Sequence, residues 1–144
     1  MTHPVGPAVV IDTMVVSAMM NAVRDPDTAN DYRALVAGRP IVVSFVTVTE
    51  MRYGALKAGW GDLRRRGLER ELAKLTVAQP DDELMHRCAE LRSTCASAGK
   101  ALGQKVHEAD RWVAATAIML AVELVSDDAV FKDISGLTVL TRQS

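Results

Sequence analysis

The stretch HEADRWVAATAIMLAVELVSDD, residues 107–128, carries a helix pattern that runs into a strand pattern and ends in two aspartates. Residues 107–122 are apolar almost all round beyond Arg111, which predicts a central, buried helix. Leu124 to Ser126 is a short apolar run bounded by capping residues, the pattern of a buried strand. A buried helix leading directly into a buried strand is typical of chains in which the two elements alternate.

The same alternation extends towards both ends of the chain. Apolar runs predict further strands at 8–11, 41–46, 75–78 and 137–140. Helical spacing predicts helices at 14–23, 27–36, 47–58, 62–74 and 82–98. Continuous apolar strands alternating with helices predict an α/β fold with a mainly parallel sheet covered on both faces. Because no linker or repeat interrupts the pattern, we expect one domain over residues 1–144.

The composition narrows the class of protein. The chain is 49% hydrophobic and 24% charged, which favours a folded globular domain over a disordered chain. Its formal net charge of -1 excludes bulk basicity as the means of binding nucleic acid. Any RNA or DNA would therefore have to meet a local basic patch.

The cysteines and the hydropathy pattern bear on the compartment. Cys88 and Cys95 fall in one predicted helix, about 10 Å apart at the helical rise per residue, which is too far for a disulfide. The three histidines are scattered, so no zinc site is predicted. The longest apolar stretch, 112–122, is too short for a membrane span, and no targeting segment is apparent. We expect a protein of the reducing cytoplasm with no membrane partner.

Four acidic side chains fall where the chain leaves a predicted strand or enters a predicted helix. Asp12 directly follows the first strand, and Glu50 follows the second by about one helical turn. Asp110 opens the buried helix, and Asp128 follows residues 124–126. Ligands of open parallel sheets bind outside the carboxyl ends of the strands. If the first strand is central and the strand before Asp128 lies beside it, these carboxylates flank one crevice.

Carboxylates gathered at one place repel each other, and removing water from them adds to the cost. A hard divalent cation relieves that repulsion, and Mg²⁺ takes carboxylates and water while leaving positions for a phosphate oxygen. Such an ion activates an attacking water and neutralises the leaving oxygen. The pattern therefore favours metal-assisted hydrolysis of a phosphodiester.

Each acidic residue also has an ordinary structural interpretation. Asp12 and Asp128 can cap the segment that follows them, and Asp110 can complement a helix dipole. Residues 47–50, TVTE, match a capping box in which Glu50 bonds back to a backbone amide. Spacing alone leaves the structural and the catalytic interpretations about equally favoured.

At these residues the sequence resembles the PIN-domain ribonucleases, and within them the VapC-type toxins of bacterial toxin-antitoxin pairs. The matching stretches, in family order, are VVIDT at 9–13, VSFVTVTEMRYG at 43–54, DRWVAATA at 110–117 and LVSDD at 124–128 with Phe131. The resemblance implies a three-layer α/β/α fold with strand order 3-2-1-4-5. It also implies an endoribonuclease that depends on Mg²⁺ or Mn²⁺.

The resemblance assigns the acidic quartet a catalytic, metal-binding role. Asp12, Asp110 and Asp128 are expected to hold the metal directly or through water. Glu50 is expected to bind a second ion or to position the attacking water, so that cleavage leaves a 5′-phosphate and a 3′-hydroxyl. One ion or two would serve.

Other positions match the family as supports or depart from it. Thr13 and Ser126 match hydroxyl positions that orient the carboxylates or metal-bound water. Val130 stands where many members carry a further aspartate, so that ligand is missing unless Asp127 replaces it. Met14 stands where a small polar residue is common.

A basic patch and Trp60 are candidate contacts for RNA. Arg64, Arg65, Arg66 and Arg70 lie on the predicted fourth helix, where they would bind RNA phosphates. A solvated helix face balanced by acidic neighbours explains the same residues. Trp60 would stack on a base or cover the core.

The resemblance further implies a homodimer and a cognate VapB-type antitoxin. The antitoxin's C-terminal segment would fill a groove and often sends a basic side chain into the acidic site. The apolar third helix is a candidate for lining that groove, although core packing is its ordinary interpretation. A non-catalytic domain of the same fold that binds RNA or a protein partner stays open as the alternative function.

Overall fold

A computed structural model describes residues 6–143 of the chain. Its centre is a five-stranded sheet of order β3-β2-β1-β4-β5, and every neighbouring pair is parallel. The strands are β1 (Val9–Ile11), β2 (Ile41–Ser44), β3 (Thr76–Ala78), β4 (Glu123–Val125) and β5 (Val139–Leu140). The predicted parallel sheet and its order 3-2-1-4-5 are confirmed.

Six α-helices connect the strands within the described residues. They are α1 (Thr13–Met20), α2 (Pro26–Val36), α3 (Phe45–Lys57), α4 (Asp62–Leu72), α5 (Asp82–Ser97) and α6 (Glu108–Leu120). Short 3-10 helices at Ala101–Gly103, Lys105–His107 and Ala129–Phe131 complete the order.

The two faces of the sheet are covered by different helices, which gives the predicted three layers. Val10 and Leu124 pack in one core cluster with apolar residues of α5 and α6. Val9 and Ile11 pack in a second cluster with residues of α1 and α2. Successive strand residues point to opposite faces, and both faces are covered here, so central strand residues such as Val9, Val10, Ile11 and Leu124 are buried and apolar.

Two predicted boundaries were wrong for reasons that bear on the site. The second strand was expected to run to Val46, but it ends at Ser44, whose hydroxyl accepts a hydrogen bond from the Val46 amide at 3.3 Å. Ser44 therefore caps α3, and the helix begins at Phe45. The buried helix was expected from residue 107, but 105–107 form a 3-10 turn before α6 begins at Glu108.

Other expectations about local structure hold. Residues 113–117 of α6 are buried, as predicted for a central helix. Cys88 and Cys95 lie together on α5, both buried and both free thiols. Among residues 6–143 no helix is long and apolar enough to cross a bilayer.

Candidate active site

The candidate site lies at the carboxyl end of β1, the central strand of the sheet. Because β1 pairs with β2 on one side and β4 on the other, the carboxyl ends of all three strands meet at one edge of the sheet. The register places Ile11 opposite Val125. Asp12 therefore follows directly on β1, while Ser126 follows directly on β4 beside it.

Asp12 is a buried carboxylate with two different hydrogen-bond donors. Its Oδ1 accepts from the Val15 amide at 2.9 Å, so Asp12 caps α1 as the structural interpretation expected. Its Oδ2 accepts a short hydrogen bond from Ser126 Oγ. Capping thus uses one oxygen, and the other is held towards β4.

Electrostatics show that the acidic residues act on one another. Burial raises the pKa of Asp12, and the bonds from Ser126 and Val15 oppose that rise. The negative charges of Asp128 and Asp110 raise the pKa further. Asp12 is therefore within electrostatic reach of both Asp110 and Asp128.

Glu50 reaches the same neighbourhood through Thr13. The Thr13 hydroxyl donates to Glu50 Oε1 at 2.7 Å and lies 3.0 Å from the hydroxyl of the buried Thr47. The capping-box interpretation of residues 47–50 is wrong, because α3 begins earlier and Ser44 is its cap. Glu50 lies in the second turn of α3 and bonds a side chain of α1.

Asp110 has a partner that sequence reasoning did not assign to the site. Asp110 lies in the first turn of α6, and its Oδ2 is 2.9 Å from His107 Nδ1. About one third of each side chain is exposed. The spacing of three residues across a helix start is a signal that could have found His107.

Asp128 holds the loop after β4 in shape. Its Oδ1 accepts from the Val130 amide at 2.9 Å, which caps the 3-10 helix Ala129–Phe131. Its own amide donates to Ser126 Oγ at 3.1 Å. Ser126 thus contacts the carboxylate of Asp12 and the backbone of Asp128, and its role in orienting the acidic residues stays a prediction.

Asp127, the suggested replacement for the acid missing at Val130, is bound to other groups. Tyr32 Oη donates to its Oδ2 at 2.7 Å, and the Arg142 amide donates to its Oδ1 at 2.9 Å. Both oxygens are therefore engaged outside the acidic quartet.

The donor set fits a hard divalent cation in its chemistry. Asp12, Asp110 and Asp128 offer carboxylate oxygens, the ligands that Mg²⁺ and Mn²⁺ take, and their mutual repulsion is what such an ion relieves. In the part of the chain that the structure describes, no three His, Cys, Asp or Glu side chains converge on one metal position. As they stand, these carboxylates are turned to protein donors.

A groove opens beside Thr13 and Glu50 between α1 and α3. It has a volume of about 370 Å³ and is lined by Thr13, Met14, Ser17, Asn21, Glu50, Met51, Gly54, Ala55 and Trp60. Met14, the departure beside Asp12, is 68% exposed at this groove. Trp60, which also lines the groove, is half-buried and packs with the cluster of Ala55, Leu68 and Leu72, as the core interpretation expected.

The predicted basic patch divides into paired and exposed arginines. Arg65 forms an ion pair with Asp62 at 2.6 Å, and the Arg64 guanidinium lies 3.8 Å from the centre of the Trp60 ring. Arg66 and Arg70 are exposed on α4. The role of these four residues in RNA binding stays a prediction.

The sequence of this chain is similar to known proteins over most of its length. A model of the PIN domain matches residues 9–137. Ribonuclease VapC5 of Mycobacterium tuberculosis is 30% identical over 105 residues, which cover 72% of this chain and 74% of the relative.

Solved structures agree with that match. The structure of VapBC-5 from Mycobacterium tuberculosis, a member of the VapBC family of toxin-antitoxin systems, is 28% identical with a TM-score of 0.64, covering 93% of this chain and 96% of the other. VapBC2 from Rickettsia felis, solved bound to a DNA fragment from its promoter, has a TM-score of 0.74 at 21% identity, covering 93% and 98%. At that identity the second likeness bears on the fold alone.

Proposed function

This chain belongs to the PIN-domain family, as its sequence resemblance predicted, and from that premise we propose that it is a metal-dependent endoribonuclease toxin of the VapC type. One observation carries the proposal: Asp12 is buried at the carboxyl end of the central strand, where Ser126 joins it to the backbone of Asp128 after the neighbouring strand. The relative named a ribonuclease supports RNA as the substrate.

We assign the metal-holding role to Asp12, Asp110 and Asp128 and the cofactor to Mg²⁺ or Mn²⁺. When bound, the ion supplies charge neutralisation at the phosphate and a more acidic water. Ser126 fixes the rotamer of Asp12 by donating to Oδ2. His107 contacts Asp110 Oδ2. An ion bound to Asp110 would therefore compete with His107 for that oxygen, or Asp110 would rotate away from His107.

Glu50 and Thr13 are proposed to handle the proton of the attacking water. The Thr13 hydroxyl binds Oε1 of Glu50, which leaves Oε2 to accept that proton. Attack by water rather than by the RNA 2′-hydroxyl leaves a 5′-phosphate and a 3′-hydroxyl. Analysis of the product ends therefore tests the mechanism separately from the activity.

The proposed partners are a second copy of this chain and a cognate VapB-type antitoxin in the cytoplasm. The likeness to VapBC-5 of Mycobacterium tuberculosis, a toxin-antitoxin system, supports an antitoxin. Tyr53 and Leu56 are exposed on α3, and Leu56 lines a groove of about 520 Å³ between α3 and α4. An apolar antitoxin segment would bury these side chains.

Cleavage of RNA by the purified protein with Mg²⁺, with Mn²⁺ and with EDTA tests the proposal. We expect cleavage that EDTA abolishes and that Asp12→Asn removes while the domain stays folded. Both ions should also raise the melting temperature, because a ligand that binds only the native state stabilises it by mass action. Cleavage by Asp12→Asn at the parental rate would contradict the role of Asp12.

One observation favours a second candidate function, a non-catalytic domain that binds RNA or a protein partner. Each of the four carboxylates already accepts a hydrogen bond from a protein donor or contacts a histidine. If neither ion shifts the melting temperature and no EDTA-sensitive cleavage is seen, this binding function replaces the enzymatic one.

A further inference from the structure

Asp127 is held by groups that reach its loop from two distant parts of the chain. The Arg142 amide donates to Asp127 Oδ1 at 2.9 Å, and Tyr32 Oη donates to Oδ2 at 2.7 Å. Arg142 Nε also donates to Oδ2. These three bonds come from α2 and from the segment that follows β5.

Arg142 is itself fixed against α2. Its guanidinium lies 5.2 Å from the centre of the Tyr32 ring, within the range of a cation-π contact, and its Nη1 is 3.2 Å from Thr28 Oγ1. The Tyr32 ring is buried in the cluster that covers β1 and β4. The arrangement, here called the Asp127 clamp, consists of Thr28, Tyr32, Asp127 and Arg142, and it joins α2, the loop after β4 and the segment after β5.

The clamp contains an ion pair between Arg142 and Asp127. Hydrogen bonds between charged groups are stronger than bonds between neutral groups. The clamp therefore holds Asp127 more firmly than neutral hydrogen bonds would.

Asp127 lies between the two residues of this loop that meet the acidic site. Ser126 Oγ donates to Asp12 and accepts from the Asp128 amide. Consecutive Cα atoms are about 3.8 Å apart across a trans peptide, so a shift of Asp127 moves both neighbours. Arg142 also places its positive charge against Asp127, the acidic residue of this loop to which the proposed reaction gives no role.

We propose that Arg142 and Tyr32 are positioning residues for the acidic site. By holding Asp127 they set Ser126 on Asp12 and keep Asp128 at the carboxyl edge of the sheet. The inference rests on the proposed function, because it assigns the clamp a role in building a metal site. It extends the site to α2 and to Arg142, which no motif of the sequence indicated.

Two variants test the clamp on the full chain. Arg142→Ala removes the guanidinium, and Tyr32→Phe removes one hydroxyl while keeping the buried ring. Arg33→Ala is the matched control, because Arg33 is exposed on α2, the helix that carries Tyr32, and donates to the Met19 carbonyl rather than to Asp127. Each protein is measured for Mn²⁺ affinity by calorimetry, for exchange of the Asp128 amide by NMR and for RNA cleavage.

We expect Arg142→Ala to weaken Mn²⁺ binding by about tenfold or more, the usual cost of losing a residue that orients a metal ligand. Exchange of the Asp128 amide should accelerate, Tyr32→Phe should act in the same direction by less, and Arg33→Ala should match the parent. If the clamp acts through Asp127, adding Asp127→Asn to Arg142→Ala should weaken binding little further.

The inference is overturned if both clamp variants bind Mn²⁺ and exchange the Asp128 amide as the parent does. It is also overturned if the losses of Mn²⁺ affinity from Asp127→Asn and Arg142→Ala multiply in the double variant. If Arg142→Ala does not fold, Tyr32→Phe and Arg142→Lys decide by the same readouts. A parent that binds no Mn²⁺ and cuts no RNA contradicts the proposed function instead. In that case the amide exchange still reports whether the clamp holds the loop.

Discussion

Ser126 Oγ donates a hydrogen bond to Asp12 Oδ2, joining the ends of β1 and β4 across 114 positions of the sequence. Burial raises the pKa of Asp12, and this bond is the largest of the contributions that oppose the rise. Ser126 therefore keeps a buried carboxylate closer to its ionised form.

Replacing Ser126 by alanine should move the pH dependence of cleavage. Without the donor, the pKa of Asp12 rises further, so Asp12 needs a higher pH to ionise and the acidic limb of the profile shifts upward. The measurement is kcat/KM for RNA cleavage across pH with Mg²⁺ present. Ser93→Ala, at an exposed serine of α5, is the control. An acidic limb that stays where the parent has it would contradict this role of Ser126.

The Asp12→Asn variant should be more stable than the parent at neutral pH when no metal is present. The folded protein raises the pKa of Asp12 above its ordinary 3.8. Between pH 3.8 and that raised pKa the folded state binds more protons than the unfolded state, so the free energy of unfolding falls as pH rises. Each pKa unit corresponds to about 1.4 kcal/mol, and asparagine caps a helix as well as aspartate does. Urea unfolding of both proteins at several pH values measures the difference.

The stability difference between Asp12→Asn and the parent should close as pH falls below 3.8, where Asp12 becomes protonated in both the folded and the unfolded state. A parent that is the more stable protein at neutral pH would show that burial and the neighbouring carboxylates do not raise the pKa of Asp12, and the argument for a shared cation would lose its support.

Thr13→Val should reduce the rate of cleavage more than it reduces substrate binding. The change keeps the side-chain shape but removes the hydroxyl that holds Glu50 Oε1 at 2.7 Å. We expect kcat to fall by about tenfold or more with KM nearly unchanged, as for a loss felt in the transition state.

The control for Thr13→Val is Thr49→Val, which changes an exposed threonine of α3. Melting temperatures of both variants show how much stability is lost, since the buried Thr47 hydroxyl also contacts Thr13. Parental kcat in a folded Thr13→Val protein would remove Glu50 from the proton transfer.

The exposed arginines of α4 should contribute to RNA binding through charge. We expect Arg66→Ala and Arg70→Ala each to reduce the slope of log affinity against log salt by about 1, the value for one phosphate contact. Arg65→Ala should change the slope less, because its charge is paired with Asp62. Binding of RNA to a cleavage-dead Asp12→Asn background at several salt concentrations measures the slopes. Equal slopes for all four proteins would favour the solvated helix face.

The fold was predictable because its strands are buried on both faces. Continuous apolar runs such as Val9 to Ile11 need no periodicity to stand out, and the alternation with helices implies parallel pairing. The predicted boundaries of strands and helices were wrong where a single polar side chain determines where one element ends and the next begins. Ser44 looked like an interior strand residue, yet its hydroxyl caps α3 and ends β2 there.

The proximity of Asp12 and Asp128 was predictable, and Ser126 and Thr13 were expected to contact acidic residues, but other contacts of these residues were not predicted. Asp12 and Asp128 had to approach because their strands are neighbours in the sheet. Tyr32 and Asp127 bond across 95 positions and share no pattern that marks the pair. The contact of His107 with Asp110 is local and readable from spacing, whereas Glu50 matched a capping box that the true helix start rules out.

Anomalous diffraction at the manganese edge, from crystals of the protein grown with Mn²⁺, decides whether the acidic residues share an ion. We expect one strong anomalous peak at the carboxyl edge of β1, bound by oxygens of Asp12, Asp110 and Asp128, and no such peak in Asp12→Asn crystals. Asp110 still on His107 and no manganese among the carboxylates, at an ion concentration that supports RNA cleavage, would contradict the proposed mechanism.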